Sequence, residues 1–132
     1  MLLPSICFQG NCDEAISYYK ETIGAQVKTI NYFRDAPADS GMEGLPPDFV
    51  MYSEVSMFGM TMVMTDGAEN PMTGEPFWFT LSFDTPEEVT AVFNKLAADG
   101  KVTDPLASQF WAALNGSVED RFGVHWNIGT NN

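Results

Sequence analysis

Few side chains in this 132-residue sequence could do chemistry, and they are quickly named. Glu54 stands in Tyr52-Ser53-Glu54-Val55, a run with the alternation of a strand. A carboxylate turned into an apolar pocket has a raised pKa and suits general acid–base work. The plainer alternative is a glutamate on an edge strand, or one satisfied by a neighbouring hydroxyl. His125 is the single histidine, in Val124-His125-Trp126-Asn127-Ile128. Alternation puts His125 and Asn127 on one face of a strand and Val124, Trp126 and Ile128 on the other. On that face an imidazole could act as acid, base or hydrogen-bond donor. With no second histidine to fix its tautomer, a strand histidine at the sheet rim is the alternative. Cys7 and Cys12, with one histidine, cannot make a zinc site of the usual ligand count without several carboxylates. Reduced thiols are expected, as in the cytosol. Met51, Met57, Met60, Met62 and Met64 cluster in one stretch and read as adaptable core filling rather than copper ligands.

These residues need elements to position them. The clearest predicted helix covers 86–99: Thr85 is a good N-cap, Pro86 suits the first helical position and Glu88 completes a capping box. Val89, Val92, Phe93, Leu96 and Ala97 form one apolar stripe, and Gly100 supplies the left-handed residue that ends it. A second helix follows the same plan, with Asn11 as cap, Glu14 three residues later, a stripe through Cys12, Ala15, Ile16, Tyr19 and Ile23, and Gly24 as stop. Short apolar runs at 5–8 and 79–83 precede the helices, and strand-forming runs at 25–33 and 101–108 follow them. Hairpin-like stretches come next, 49–58 with 60–65 about Gly59, and 110–118 with 124–128 about a turn at Glu119-Asp120-Arg121-Phe122-Gly123. In that turn Gly123 permits a positive φ and Asp120 can bond the following backbone. The chain therefore reads as α+β, two βαβββ modules at about 1–66 and 77–132 within a single domain. Loops at 35–48 and 67–76 are rich in glycine and proline and suit lids or connections.

Six Lys+Arg against 18 Asp+Glu give a net charge of −12. Such a surface repels phosphate backbones and anionic lipid, so neither nucleic acid nor membrane is an expected partner. No apolar run approaches the roughly 20 residues of a spanning helix. Met1-Leu2-Leu3-Pro4 lacks a basic region and reads as the approach to a strand rather than a signal peptide, so a cytoplasmic location is expected.

The sequence resembles a known family. The opening 4–16, with Tyr18-Tyr19 and Ile23-Gly24-Ala25, then Gly59, Met64-Thr65-Asp66, Gly100-Lys101-Val102, Pro105-Leu106, Phe110-Trp111 and above all 120–126, look like PhnB-like proteins. These are a branch of the glyoxalase/bleomycin-resistance (vicinal oxygen chelate) superfamily. The resemblance implies that the two modules build a cupped eight-stranded mixed sheet, in a homodimer. It also assigns the superfamily's metal-ligand positions to Pro4, Met64, Trp78 and Asn127, where Pro and Trp offer no donor, Met only a soft one and Asn a weak neutral one. No metal and no other cofactor is therefore expected. Relatives often carry the label of a ubiquinone methyltransferase, but no glycine-rich loop follows a strand and opens a helix here, as a nucleotide-type cofactor wants. Two departures stand out. Tyr52 replaces a common histidine beside Glu54, and Ala112-Ala113-Leu114-Asn115-Gly116 lacks the basic residue that often follows Phe-Trp, which removes an anchor for an anionic ligand.

The expected function is binding of a small organic molecule in an apolar, aromatic-lined cup without the standard metal, with ligand contacts from Phe8, Tyr52, Trp78, Thr80, Trp111 and Asn127. The alternative is a lyase, isomerase or dioxygenase-like enzyme with an acid–base site around Glu54 and His125. A structural dimer with no ligand is the third possibility.

Overall fold

The computed structural model describes residues 1–42, 44–71 and 77–131, so residues 72–76 of the expected connection lie outside the described residues. The chain divides into two compact units, Met1–Pro71 and Met72–Asn132.

In the first unit the order is β1 (Ser5–Phe8), α1 (Cys12–Ile23), β2 (Gln26–Tyr32), a 3-10 turn (Phe33–Asp35), β3 (Val50–Met57) and β4 (Met60–Asp66). The sheet order is β1-β4-β3-β2, with β1 parallel to β4 and the other pairs antiparallel. Register pairs Ile6 with Met64 and Phe8 with Asp66, and these side chains, with Met62, Ser53 and Val55, are buried on the face that α1 covers. Cys12, Ala15, Ile16 and Tyr19 are the buried side of α1. Each fully buried large apolar side chain in this layer contributes roughly 1.5–3 kcal/mol.

The entry to α1 differs from the sequence expectation. Asn11 makes no side-chain cap; its Oδ1 accepts from the Gln9 N–H at 3.2 Å. Its backbone (φ −108, ψ 19) is not the extended conformation that aims a capping oxygen at the first turn. The cap comes instead from the end of β4: Asp66 Oδ1 accepts from the Gly10 and Cys12 N–H groups at 2.8 and 3.0 Å. Asp66 Oδ2 accepts from the Val50 N–H at 2.9 Å, so one buried carboxylate joins the helix start to the head of β3. Gly24 ends α1 in the left-handed conformation, as expected.

The second unit repeats the plan: β5 (Phe79–Phe83), α2 (Pro86–Ala97), β6 (Lys101–Gln109), β7 (Ala112–Glu119) and β8 (His125–Thr130), in sheet order β5-β8-β7-β6 with β5 parallel to β8. Thr85 Oγ1 accepts from the Glu88 N–H at 3.2 Å and donates to Glu88 Oε1 at 3.0 Å, the expected capping box. The helix stop differs: Asp99 (φ 61) takes the left-handed position. Gly100 is required by proximity instead, because a Cβ there would collide with the Glu119 carbonyl. Pro105 is accommodated on edge strand β6, where the pairing register breaks between Asp104 and Ala107. Phe110 and Trp111 are not the start of a strand; they form the tip of the β6–β7 hairpin, with Phe110 97% exposed. The Asp120 turn is as expected: Oδ1 accepts from the Phe122 and Val124 N–H groups, Gly123 has φ 85, and Oδ2 accepts from Trp126 Nε1 at 2.9 Å. Among the described residues no helix is long and apolar enough to cross a membrane.

Candidate functional site

Strand β8 sorts its residues to two sides. Trp126 and Ile128 are buried and pair in register with Phe79 and Leu81, while Val89, Phe93 and Leu96 are the buried side of α2. His125, Asn127 and Gly129 point the other way. On that side register builds two rows across the sheet: Thr80, Asn127 and Ser117 in one, and Ser82, Gly129 and Asn115 in the next. Above the rows lies a cavity of about 330 Å³ lined by Thr80, Ser82, Trp111, Asn115, Asn127 and Thr130, among others. Its size suits a small organic molecule.

The floor of this cavity is polar and ordered. Asn127 Oδ1 accepts from Asn115 Nδ2 and from Ser117 Oγ, both at 3.1 Å. Two donors on the same oxygen fix the orientation of the Asn127 amide. Its Nδ2 donates to no acceptor among the described residues. Gly129 makes room for Asn115, since a Cβ at 129 would collide with Asn115 Oδ1. Trp111, packed edge-to-face on Phe110 at 4.8 Å between ring centroids, supplies the flat wall.

Three expected ligand residues, Thr80, Trp111 and Asn127, line this cavity, and a floor of amides and hydroxyls replaces the expected apolar lining. His125 shares the face of Asn127 but is not part of the lining. It is 4% exposed, its ring lies 5.3 Å from that of Trp78, and its Nδ1 has no hydrogen-bond partner among the described residues.

The other expected residues belong to the first unit. Glu54 pairs in register with Val63, on the side of the sheet away from Ser53 and Val55. It accepts a 3.1 Å hydrogen bond from the Tyr52 hydroxyl. That bond to a carboxylate pushes the Tyr52 phenol above its ordinary pKa, with smaller contributions from burial and from the Glu54 charge. Nearby, Lys28 Nζ donates to Thr61 Oγ1 at 3.1 Å. Glu54 thus stands on a half-exposed polar face beside an exposed tyrosine, not in an apolar pocket. Phe8 is buried on the α1 side of its sheet, which makes it a core residue.

Cys7 is exposed and Cys12 is buried, both as free thiols. Burial, reinforced by the Asp66 and Asp13 charges and by Cys7, pushes the Cys12 thiol far above the ordinary range. Sequence reasoning missed Asn115, Ser117 and Asp66. The first two were within reach, because Asn115, Ser117 and Glu119 alternate with Gly116 and Val118 along β7. Asp66 had only one signal, a charged residue closing an apolar strand.

The positions that resemblance assigns to a metal do not fit one. The Pro4 carbonyl accepts from the Val63 N–H at 2.9 Å, and Met64 is fully buried on the α1 side of its sheet. Trp78 packs on His125, and the Asn127 oxygen already carries two donors. A divalent cation needs several converging anionic or imidazole ligands. No group of three or more His, Cys, Asp or Glu able to hold an ion exists among the described residues.

Residues 1–129 match the family described as 3-demethylubiquinone-9 3-methyltransferase. Protein YjdN of Escherichia coli (strain K12) is 33% identical over 138 residues, covering 96% of this chain and 92% of that protein. The structure of a PhnB protein from Bacillus cereus superposes with a TM-score of 0.81 at 23% identity, covering 98% of each chain. A glyoxylase/bleomycin resistance protein/dioxygenase domain from Frankia sp. EAN1pec gives a TM-score of 0.69 at 11% identity, over 100% of this chain and 97% of that one. At such identities these two structures speak for the fold: two βαβββ units, each with its four-stranded mixed sheet.

Proposed function

We propose that this chain, which belongs to the family described as 3-demethylubiquinone-9 3-methyltransferase, the PhnB-like branch of the glyoxalase/bleomycin-resistance superfamily, binds a small organic molecule in the cavity lined by Thr80, Trp111 and Asn127. The superfamily fold itself supports a small-molecule-binding or enzyme-like role. One observation carries the choice of site: an amide whose oxygen is saturated by two donors presents its N–H group beside an indole wall in a cavity of ligand size. Methyl transfer is not part of this reading. The N–H groups at the start of α1 are taken by Asp66, and the Glu88 N–H of α2 by Thr85, so neither junction resembles a cradle for a nucleotide-type methyl donor. The proposal includes a homodimer in the cytoplasm, which rests on the sequence alone.

A second reading, an acid–base enzyme, has one observation in its favour. The buried Nδ1 of His125, two residues from Asn127 on the same face, has no partner among the described residues and could exchange a proton with a bound molecule. In the same reading Glu54, held by Tyr52, serves its own unit's face.

A thermal-shift screen of planar small molecules tests both. The expected result is a rise in Tm with at least one compound, by about 2.7 kcal/mol of stabilisation at a hundredfold excess over Kd. Trp111→Ala and Asn127→Ala should each abolish that rise. No shift with any compound, or shifts that survive both substitutions, would refute the site. Turnover of a bound compound that disappears in His125→Gln, with binding kept, would favour the enzyme.

A further inference from the structure

We infer that the second-unit cavity selects a neutral, planar ligand carrying a carbonyl next to an N–H group, the edge presented by a lactam or cyclic imide. This inference rests on the reading of that cavity as the binding site.

Charge is the first argument. None of the lining residues is ionisable in the physiological range: they are Thr, Ser, Asn, Leu, Ala, Gly and Trp. An anion entering here would give up its hydration with no cation to replace it, against a molecule whose net charge is −12. A cation would find no carboxylate in the lining. The ligand must therefore be uncharged.

Hydrogen bonding is the second. The bonds from Asn115 Nδ2 and Ser117 Oγ commit the Asn127 oxygen, which leaves Asn127 Nδ2–H2 as a donor. The same Asn115 to Asn127 bond commits the donor end of Asn115 and leaves its Oδ1, lying over Gly129, as an acceptor. No described residue donates to that oxygen. Two linked amides thus show one fixed donor and one fixed acceptor at neighbouring register positions, Asn127 on β8 and Asn115 on β7. Buried polar groups that stay unpaired cost more than the bond they forgo, so a ligand supplying only one complement is discriminated against. Thr80 and Ser82 hydroxyls can turn either way and add no sign. The half-exposed Trp111 ring adds a stacking wall, which favours a flat ligand over a branched one.

The test uses the full chain and three uracil-ring probes that differ in one property each. Uracil has the neutral carbonyl and N–H edge. 1,3-Dimethyluracil keeps the ring and carbonyls and loses the N–H groups. Orotate keeps the edge and adds a carboxylate. Titration calorimetry should show saturable binding of uracil, with the other two weaker by at least about tenfold. The side-chain NH2 resonance of Asn127 should move with uracil. Asn127→Asp keeps an oxygen for Asn115 and Ser117 but loses the donor, and should weaken uracil at least about tenfold. If 1,3-dimethyluracil or orotate binds as well as uracil, and that binding is lost in Trp111→Ala, the ligand class is wrong while the site stands. If no uracil-ring probe binds but another compound from the thermal screen does, with loss in Trp111→Ala, the class is again overturned alone. Failure of all compounds overturns the class and the site together.

Discussion

At the scale of single residues, a carboxylate can hold a loop only if its oxygens meet N–H groups that have nothing else to bond. Asp66 does this three times, at Gly10, Cys12 and Val50, in a position that is nearly closed to water. Truncation leaves three backbone donors facing a void, two of them at the start of α1 where intrahelical acceptors do not exist. Asp66→Ala should therefore lower stability by about 2–4 kcal/mol, the combined loss of a cap and of charge-assisted hydrogen bonds. Asp66→Asn should cost less, because an amide oxygen can still face Gly10 and Cys12 while its NH2 opposes the Val50 N–H. Urea denaturation of the three proteins checks the order; an alanine variant within about 0.5 kcal/mol of the parent would show that the clamp contributes nothing. This role was not legible in the sequence. The N–H groups of Gly10 and Cys12 are 56 and 54 positions from Asp66, so only tertiary structure brings them together. Asp120 is the contrast: its backbone partners are Phe122 and Val124, two and four residues on, and local turn chemistry was enough to read it.

At the scale of elements, the repeat was legible because each piece of it is local. A capping box at Thr85, the stripe through Val89, Phe93 and Leu96, and alternation in β8 all act within one or two turns of chain. The β6–β7 hairpin tip was not. Phe110 and Trp111 have the residue types of a strand, and type alone does not separate a strand residue from an exposed turn apex. The candidate site was half legible for the same reason: alternation put His125 with Asn127, but the pairing of β7 with β8, which supplies Asn115 and Ser117, is a matter of register. Register also explains why Gly129 has no side chain. Asn115 stands directly opposite it, and a methyl group at 129 would strike Asn115 Oδ1. Gly129→Ala should displace the Asn115 amide, cost about 1–3 kcal/mol as an overpacked site, and release Asn127 to rotate. The side-chain NH2 resonances of Asn115 and Asn127 would shift together. A variant of parental Tm with both resonances unmoved would show that the floor yields freely and is not held by register.

At the scale of the whole molecule, charge of one sign outweighs the other threefold. Eighteen acidic residues face six basic ones, and the ion pair formed among the described residues, Arg34 with Asp48 at 3.1 Å, joins two exposed side chains. An exposed pair is worth about 0–1 kcal/mol, too little to offset repulsion spread over the surface. That repulsion raises the free energy of the compact state more than that of the expanded chain, whose charges stand farther apart. Its range is the Debye length, about 30 Å at 0.01 M salt and about 8 Å at 0.15 M. Adding salt over this interval therefore removes a destabilising interaction and weakens only one small favourable one. Tm should rise by about 3 °C or more between about 0.01 and 0.15 M sodium chloride, which corresponds to about 1 kcal/mol for a chain of this size. Screening has a distinctive shape: most of the rise should come at the lowest concentrations and then level off. Calorimetric scans over a salt series decide it, and a Tm that stays flat or falls would mean that the acidic groups are already compensated in the native fold.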